Sequence, residues 1–347
     1  MKTILFCQNN YAFGILEPIK NILIEKGYSY IWYIPKKLID DFPYNSETFT
    51  TKISDLEYFN SDAIFVPGNE APHYLRGLKV QIFHGLAGEK KGHFRIRHYF
   101  DLYLTQGPYF TRGFNKLKAK YKNFDVIQTG WPKLDIYNKN KSYFQKKKKK
   151  ISEKYDIDKV LLYAPTFSPK LTSAPYLIEN IKTLANNKKY LILIKFHPLM
   201  DEHWVDIYKN LSKNIENIIF KEENNIVEFL LISDLLISDT SSVIYEFLLL
   251  DKPVITFNNI SKNISWENTN DYNLLTDLVI SNLSKDPFAK YRKSIFKEMH
   301  PYNDGNSAKR MVEATESYIK KYGVPKKRKL SLLRQMKIHS IFGKSTK

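Results

Sequence analysis

The sequence of 347 residues contains a single cysteine, Cys7, and lacks an apolar run of the roughly 20 residues that cross a bilayer. One cysteine excludes an internal disulfide framework and is typical of a reduced compartment. The long apolar segment Ile226–Ile237 is interrupted by Glu228 and Asp234. The opening residues Met1–Gln8 become polar too early for a secretory signal. We therefore expect a cytoplasmic protein.

Acidic residues are scarce, above all at the C-terminal end. The formal net charge is +18, and Lys320–Lys347 holds ten Lys or Arg residues and no Asp or Glu, so more than half of the excess lies there. A second basic run, Lys146–Lys150, lies in the middle of the chain. Such runs attract the phosphates of nucleic acid, anionic lipid or a substrate, or simply remain solvated.

Short apolar runs alternate with helical patterns, which is typical of parallel α/β units. The pattern occurs twice, and a chain of this length favours two domains. We predict an N-terminal Rossmann-like domain over 1–137, a basic linker over 138–154, a second Rossmann-like domain over 155–322 and a basic amphipathic tail over 323–347. The predicted strands are Thr3–Gln8, Tyr30–Ile34, Ala63–Val66, Val80–Phe83, Leu102–Thr105, Val126–Gln128, Val160–Tyr163, Leu191–Ile194, Ile218–Phe220, Leu235–Ile237 and Val254–Phe257.

Polar residues follow several of these strands, and ligands of open parallel sheets bind beyond the carboxyl ends of strands. In the first domain His84 is followed by glycines and by Lys90 and Lys91, which suits an anionic ligand and a general base. A loop-capping histidine is the alternative. A later turn contains Gly130, Lys133 and Asp135, which we expect, with Lys90 and Lys91, to offer contacts to an acceptor or a phosphate, although as a lone signal this turn is weak.

Three strands of the second domain end in polar groups. Pro165 and Thr166 follow one strand, Lys195 and His197 follow the next, and the cluster Asp239, Thr240, Ser241 and Ser242 opens a predicted helix. A helix start presents unpaired amides to an anion. Taken alone the cluster is better explained as helix capping, whereas beside Lys195 and His197 it indicates a phosphate site. We expect the Asp239 carboxylate to orient a base, a hydroxyl or a backbone amide.

Cofactor and metal motifs are missing from the sequence. It contains no Walker-type loop, no dinucleotide fingerprint and no zinc spacing. The pair Asp156 and Asp158 has the spacing of some metal-binding transferases, but it precedes a strand and is better explained as a turn. We expect neither a cofactor nor a metal.

Together, the ordered motifs resemble the CDP-glycerol glycerophosphotransferase family, whose members build teichoic acids and some capsular polymers. The resemblance runs from about residue 80 to 320. It rests on His84-Gly with Lys90 and Lys91, Thr129–Asp135, Tyr163–Thr166, Lys195–Pro198, Ser238–Ser242 and Asp304-Gly305.

This resemblance implies a GT-B fold, in which two Rossmann-like domains with parallel sheets face a central cleft. It implies transfer of glycerol phosphate or a related polyol phosphate from a CDP-alcohol to a glycan or lipid-linked acceptor, with release of CMP. His84 would be the catalytic base, and His197 would be a second catalytic residue. Lys195, His197 and the hydroxyls of Thr240, Ser241 and Ser242 would contact the donor phosphates, while Pro165 and Thr166 would line the donor site. Basic surface would hold the enzyme on the inner face of the cell membrane.

Two other functions remain open at this point. A GT-B glycosyltransferase that uses a nucleotide sugar is the nearest enzymatic alternative, because a fold does not fix the chemistry. Nucleic-acid binding is favoured by charge alone, since the aromatic residues form no RNA-binding signature, and we expect no specific nucleic acid partner. The tail has apolar residues at helical spacing among its basic residues, which predicts either a membrane-surface helix or a helix packed on the first domain.

Overall fold

The computed structural model of the chain describes residues 1–86, 88, 92–222, 226–262, 264–326 and 328–345. The chain forms two compact units. The first contains residues 1–139 and 298–347, and the second contains residues 140–297. Each unit is built on one parallel sheet flanked by helices.

The first sheet has seven strands in the order β3-β2-β1-β4-β5-β6-β7, and the second has six in the order β10-β9-β8-β11-β12-β13. Neighbouring strands are parallel in both sheets. The strands are β1 (Lys2–Phe6), β2 (Ser29–Tyr33), β3 (Phe49–Thr50), β4 (Ala63–Val66), β5 (Leu78–Gln81), β6 (Leu102–Thr105), β7 (Asp125–Gln128), β8 (Lys159–Tyr163), β9 (Tyr190–Ile194), β10 (Ile218–Phe220), β11 (Leu235–Ser238), β12 (Val254–Phe257) and β13 (Glu267–Thr269).

The helices that the structure describes flank the sheets. They are α1 (Phe13–Glu25), α2 (Ile53–Phe59), α3 (Pro108–Tyr121), α4 (Asp135–Lys139), α5 (Lys141–Tyr155), α6 (Ile178–Leu184), α7 (Glu202–Asn214), α8 (Val227–Ile232), α9 (Val243–Leu248), α10 (Leu275–Ser284), α11 (Ala289–Met299), α12 (Ser307–Tyr322) and α13 (Leu332–Phe342).

Both sheets are doubly wound, so each has a point where the strand order reverses. This point lies between β1 and β4 in the first sheet and between β8 and β11 in the second. Central strands such as β4 and β11 are buried along their whole length, as expected for a parallel sheet covered on both faces. Loops that follow the strands at the reversal are the usual binding sites of such sheets.

Most of the segment predicted as a basic linker forms helix α5, and from residue 140 onward it belongs to the second unit. Lysine is a good helix former, and this segment contains no Gly or Pro to interrupt it. Two of its lysines dock the helix on the second unit: Lys147 forms an ion pair with Glu228 over 2.7 Å, and Lys148 forms one with Asp234.

The domain boundaries also differ from the prediction, because the segment 298–322 returns to the first unit. Helix α12 buries Met311 and Val312 there, and its first amides are bonded by Asp135 of the first unit. The sequence pattern of α12 shows an amphipathic helix but does not show which sheet receives its apolar face.

The tail packs on the first unit through one face of α13. Ile338 is fully buried in the core that contains Ile4 and Phe6, and the rings of Phe342 and Phe6 lie 5.5 Å apart. Before the helix, Arg328 forms an ion pair with Asp101. The packed alternative for the tail is therefore present in the structure, while Leu332, Leu333 and Met336 remain exposed.

Candidate functional site

Asp239 holds the loops together at the reversal point of the second sheet. Its carboxylate, which has no exposed surface, accepts hydrogen bonds from the amides of Thr166 (2.8 Å), Ser173 (2.8 Å) and Thr240 (2.6 Å). The hydroxyl of Ser173 donates a fourth bond over 2.9 Å. Burial raises the pKa of Asp239, and these hydrogen bonds oppose that rise. Asp239 thus orients backbone amides, one of the roles expected for it.

The hydroxyl cluster beside Asp239 does not cap a helix in the way the sequence indicated. Helix α9 is only six residues long, and Ser242 before it already has helical backbone angles, with φ −70° and ψ −19°. In this described segment, the Ser242 hydroxyl makes no capping hydrogen bond. Ser241 and Ser242 are half-buried, and Thr240 Oγ1 accepts a bond from the amide of Ile260 over 3.4 Å. The capping explanation of this serine is therefore wrong.

His197 follows β9 and is exposed at the carboxyl end of the sheet. Its Nδ1 accepts a hydrogen bond from the amide of Leu199 over 3.1 Å, so the neutral ring carries its proton on Nε2. The Phe167 ring stacks on it at 4.4 Å and joins it to the loop of Pro165 and Thr166. Lys195 is buried, and its ammonium donates to the carbonyl of Phe196 over 2.5 Å. Because its proton is on Nε2, His197 can donate a hydrogen bond from that atom.

His84 has the opposite arrangement in the first unit. It follows β5, its ring is exposed, and its Nδ1 lies 3.0 Å from the carbonyl oxygen of Pro67. A carbonyl only accepts, so Nδ1 carries the proton and Nε2 carries the lone pair of the neutral ring. This tautomer can take a proton from a hydroxyl group, as a general base must.

A set of buried side chains fixes the backbone around His84. Gln81 donates to the carbonyl of Gly68 over 2.9 Å, Gln106 donates to that of Gly85 over 2.9 Å, and Trp131 donates to that of Phe83 over 3.4 Å. No sequence motif gave a role to Gln81 or Gln106, and Trp131 entered only as part of the motif Thr129–Asp135. A glutamine within or directly after an otherwise apolar strand was the available signal.

Phe83, immediately before His84, has a left-handed backbone with φ +62°. This conformation is unfavourable for a bulky L-residue by about 1 kcal/mol or more and is often found beside functional groups. The surrounding hydrogen bonds therefore hold His84 directly after a residue with strained backbone.

The turn with Gly130, Lys133 and Asp135 secures the returning segment of the first unit. Asp135 is buried, and its two oxygens accept bonds from the amides of Ser307 (2.9 Å) and Ala308 (2.7 Å) at the start of α12. Gly130 has φ +89°, and a Cβ there would lie 2.4 Å from the Ser307 hydroxyl. The structure thus assigns both residues to helix docking.

The remaining predicted lysines of the first unit have different outcomes. Lys133 lies with its ammonium 5.4 Å from the ring centre of Trp131. Lys90 and Lys91 lie outside the described residues. Among the residues that the structure does describe, no three His, Cys, Asp or Glu side chains are placed to share a metal ion.

Two doubly wound parallel sheets, each with polar groups at its strand ends, define a protein of the GT-B class. The wall teichoic acid polymerase TagF has a similar structure, with a TM-score of 0.67 over 92% of this chain and 89% of TagF, at 19% sequence identity. At that identity the similarity shows the fold, and the predicted GT-B fold is confirmed.

The chain belongs to the CDP-glycerol:poly(glycerophosphate) glycerophosphotransferase family, whose model matches residues 84–317. The predicted family and its class of enzyme, a transferase, are thereby confirmed. A teichoic acid glycerol-phosphate primase of Bacillus subtilis is 26% identical over 62% of this chain and 58% of its own length. A teichoic acid poly(glycerol phosphate) polymerase of Bacillus spizizenii is 25% identical over 72% of this chain and 70% of its own length. The matched region thus spans a little over half of the primase.

Proposed function

We propose that the chain transfers glycerol phosphate, or a related polyol phosphate, from a CDP-alcohol to a hydroxyl of a glycan or lipid-linked acceptor, and that it releases CMP during synthesis of a cell-surface polymer. The observation that carries this proposal is the pair of exposed histidines with opposite tautomers, His84 with its lone pair on Nε2 and His197 with its proton there. One histidine suits a base, and the other suits a donor to phosphate oxygen.

The second unit binds the CDP-alcohol in this proposal. His197 donates from Nε2 to a phosphate oxygen, and the half-buried hydroxyls of Thr240, Ser241 and Ser242 supply further donors. Lys195 adds positive charge nearby. Asp239 acts as a positioning residue, because it fixes the amide of Thr166 and the start of the hydroxyl cluster. Phosphoryl transfer depends mainly on such positioning and on neutralisation of charge.

The first unit supplies the base. His84 Nε2 takes the proton of the acceptor hydroxyl as its oxygen forms a bond to the distal phosphorus of the CDP-alcohol. The bond from that phosphorus to the bridging oxygen breaks, and CMP leaves with the electron pair. The imidazolium then returns its proton to water. General-base catalysis of this kind contributes about 10²–10⁴-fold to a rate.

Incubation of the full chain with CDP-glycerol, CDP-ribitol and UDP-N-acetylglucosamine tests this function. We expect release of CMP from a CDP-alcohol, with the polyol phosphate joined to a glycerol phosphate oligomer supplied as acceptor. Release of UDP from the nucleotide sugar, without release of CMP, would replace the proposal with the glycosyltransferase alternative.

We further propose that the enzyme works at the cytoplasmic face of the cell membrane, on anionic lipid. The exposed fractions of Leu332, Leu333 and Met336 on α13 are 77%, 80% and 67%, and basic residues surround them in the sequence. Apolar side chains beside basic charge are typical of membrane-surface helices. Among the described residues, no helix is both long and apolar enough to cross a membrane.

Sedimentation with vesicles containing phosphatidylglycerol tests this location. Replacing all three exposed residues by serine should weaken vesicle binding at least 10-fold. The lipid interface would then lose the three apolar side chains that enter it in this proposal. The substitutions spare Ile338, so the packing of the tail is kept. Equal binding by the triple variant and the wild type would show that α13 is not the contact.

A further inference from the structure

An exposed tyrosine lies directly beside His84 in the first unit. Tyr11 follows β1 in a short turn, and its ring centre lies 5.3 Å from that of His84, with the two planes inclined by 33°. Its exposed fraction is 47%, and the His84 ring is exposed as well. A molecule that approaches His84 from solvent can therefore contact both rings.

The hydrogen bonds of Tyr11 determine what its hydroxyl offers. Asn9 Nδ2 donates to the Tyr11 oxygen over 3.1 Å, so the phenolic proton is available for a different acceptor. The thiol of Cys7 donates to the Asn9 carbonyl over 3.3 Å and steadies the turn. Burial raises the pKa of Tyr11, so its hydroxyl keeps this proton at neutral pH.

The loop that holds His84 also contacts the Tyr11 turn. Gly68 approaches the Gln8 side chain so closely that a Cβ at this glycine would lie 2.4 Å from Gln8 Oε1. Pro67, the neighbour of Gly68, accepts the hydrogen bond of His84. The end of β1 and the end of β4 therefore meet at the reversal of the first sheet and present Tyr11 and His84 together.

We propose that Tyr11 is a further acceptor-binding residue, whose hydroxyl donates a hydrogen bond to an oxygen of a polyol phosphate acceptor while His84 takes the proton of its attacking hydroxyl. This proposal rests on the transfer function proposed above. Tyr11 neither gains nor loses a proton in the step. Its ring supplies an apolar surface for the carbon atoms of the acceptor, next to the hydroxyl that binds its oxygen.

Steady-state kinetics with CDP-glycerol as donor and a soluble glycerol phosphate trimer as acceptor tests the proposal. Tyr11→Phe keeps the ring and removes the hydroxyl, and it should raise the KM for the trimer about 3- to 10-fold, as expected for one lost hydrogen bond. The KM for CDP-glycerol should stay within about twofold, because the donor makes no contact with Tyr11 in this proposal.

Asn9→Asp is a second variant that distinguishes binding from structure. The new carboxylate would accept a hydrogen bond from the Tyr11 hydroxyl, which could then no longer donate to the acceptor. Asn9→Asp should therefore show the same rise in the KM for the trimer, although the tyrosine itself is intact. Tyr58→Phe, at an exposed tyrosine on α2 (73% exposed), is the matched control and should leave both constants unchanged.

Two results would overturn the role of Tyr11 and leave the proposed transfer function standing. These are a wild-type trimer KM in Tyr11→Phe, or an equal rise of both KM values, which indicates a structural role. If the wild-type chain releases no CMP from CDP-glycerol, the proposed function fails first, and the inference fails with it.

Discussion

Nδ1 of His84 donates a hydrogen bond to the carbonyl oxygen of Pro67 over 3.0 Å, which places the lone pair of the neutral ring on Nε2. Pro67 follows the central strand β4, and Gln81 also donates to this loop, so the orientation of the imidazole depends on the core of the first sheet. In His197, Nδ1 accepts a hydrogen bond from the backbone amide of Leu199, so the neutral ring carries its proton on Nε2. The backbone around each ring thus decides which histidine accepts and which donates.

Loss of the Asp239 carboxylate should weaken both the second unit and its binding of CDP. Asp239→Asn places an amide group where the carboxylate accepts four hydrogen bonds, and we expect a loss of about 1.5–3 kcal/mol in the free energy of unfolding. The Thr166 loop would then be released, with at least a 10-fold rise in the Kd for CDP by calorimetry. The control is Asp201→Asn at the exposed N-cap of α7, where asparagine caps equally well. Wild-type stability and affinity in Asp239→Asn would contradict this positioning role.

Gly130 and Gly14 should respond to alanine in opposite directions. At Gly130 the positive φ and the close Ser307 hydroxyl oppose a side chain, and we expect a loss of about 1–3 kcal/mol in the free energy of unfolding. Gly14 lies in α1 with no atom within 4 Å of a new Cβ, so Gly14→Ala should stabilise by about 0.5–1 kcal/mol. Urea unfolding measures both values, and a neutral Gly130→Ala would contradict the proposed docking of α12.

Burial of Ile338 makes the tail part of the first core. Ile338→Ala should lower the free energy of unfolding by about 2–5 kcal/mol, while Leu333→Ala, at an 80% exposed residue of the same helix, should change it by less than about 0.5 kcal/mol. Equal small effects would mean that α13 is detached in solution.

His300 should make the stability of the first unit depend on pH. His300 is buried, and its Nε2 accepts a hydrogen bond from the backbone amide of Trp131 over 2.9 Å. Burial lowers its pKa from 6.5 to about 4. The folded state therefore binds its proton less readily than the unfolded state. The resulting stability is present above about pH 6.5 and is lost as the pH falls towards 4, by at most about 3 kcal/mol.

Thermal unfolding of the wild type and His300→Gln between pH 7.5 and pH 4.5 measures this effect. The glutamine oxygen can accept the hydrogen bond from the Trp131 amide, and glutamine does not titrate. The unfolding midpoint of His300→Gln should therefore fall less on acidification than that of the wild type. Parallel curves for the two proteins would exclude His300 as the source.

The sequence predicted the sheets well because their central strands are uninterrupted apolar runs. The strands β4 and β12 have the same bounds in prediction and structure. The edge strands β3 and β13 were missed, because they are short and have no apolar pattern.

Other features depend on partners that are distant in the sequence. The periodicity of α12 says nothing about its capping by Asp135, which is 172 residues away from Ser307. The strand-end rule selected His84 and His197, but their tautomers are determined by a distant carbonyl and a local amide that no pattern reveals. Two of the partners of Asp239, Ser173 and Thr166, are 66 and 73 residues away in the chain.

A double comparison of His84→Ala and His197→Ala tests the central claim most directly, with His203→Ala, at another exposed histidine, as the control. The measurements are the Kd for CDP by calorimetry and the rate of CMP release from CDP-glycerol in the presence of acceptor. We predict that His84→Ala keeps the wild-type Kd and loses about 10²–10⁴-fold in rate, whereas His197→Ala raises the Kd about 10-fold or more. Near wild-type turnover in His84→Ala, or an unchanged Kd in His197→Ala, would contradict the account.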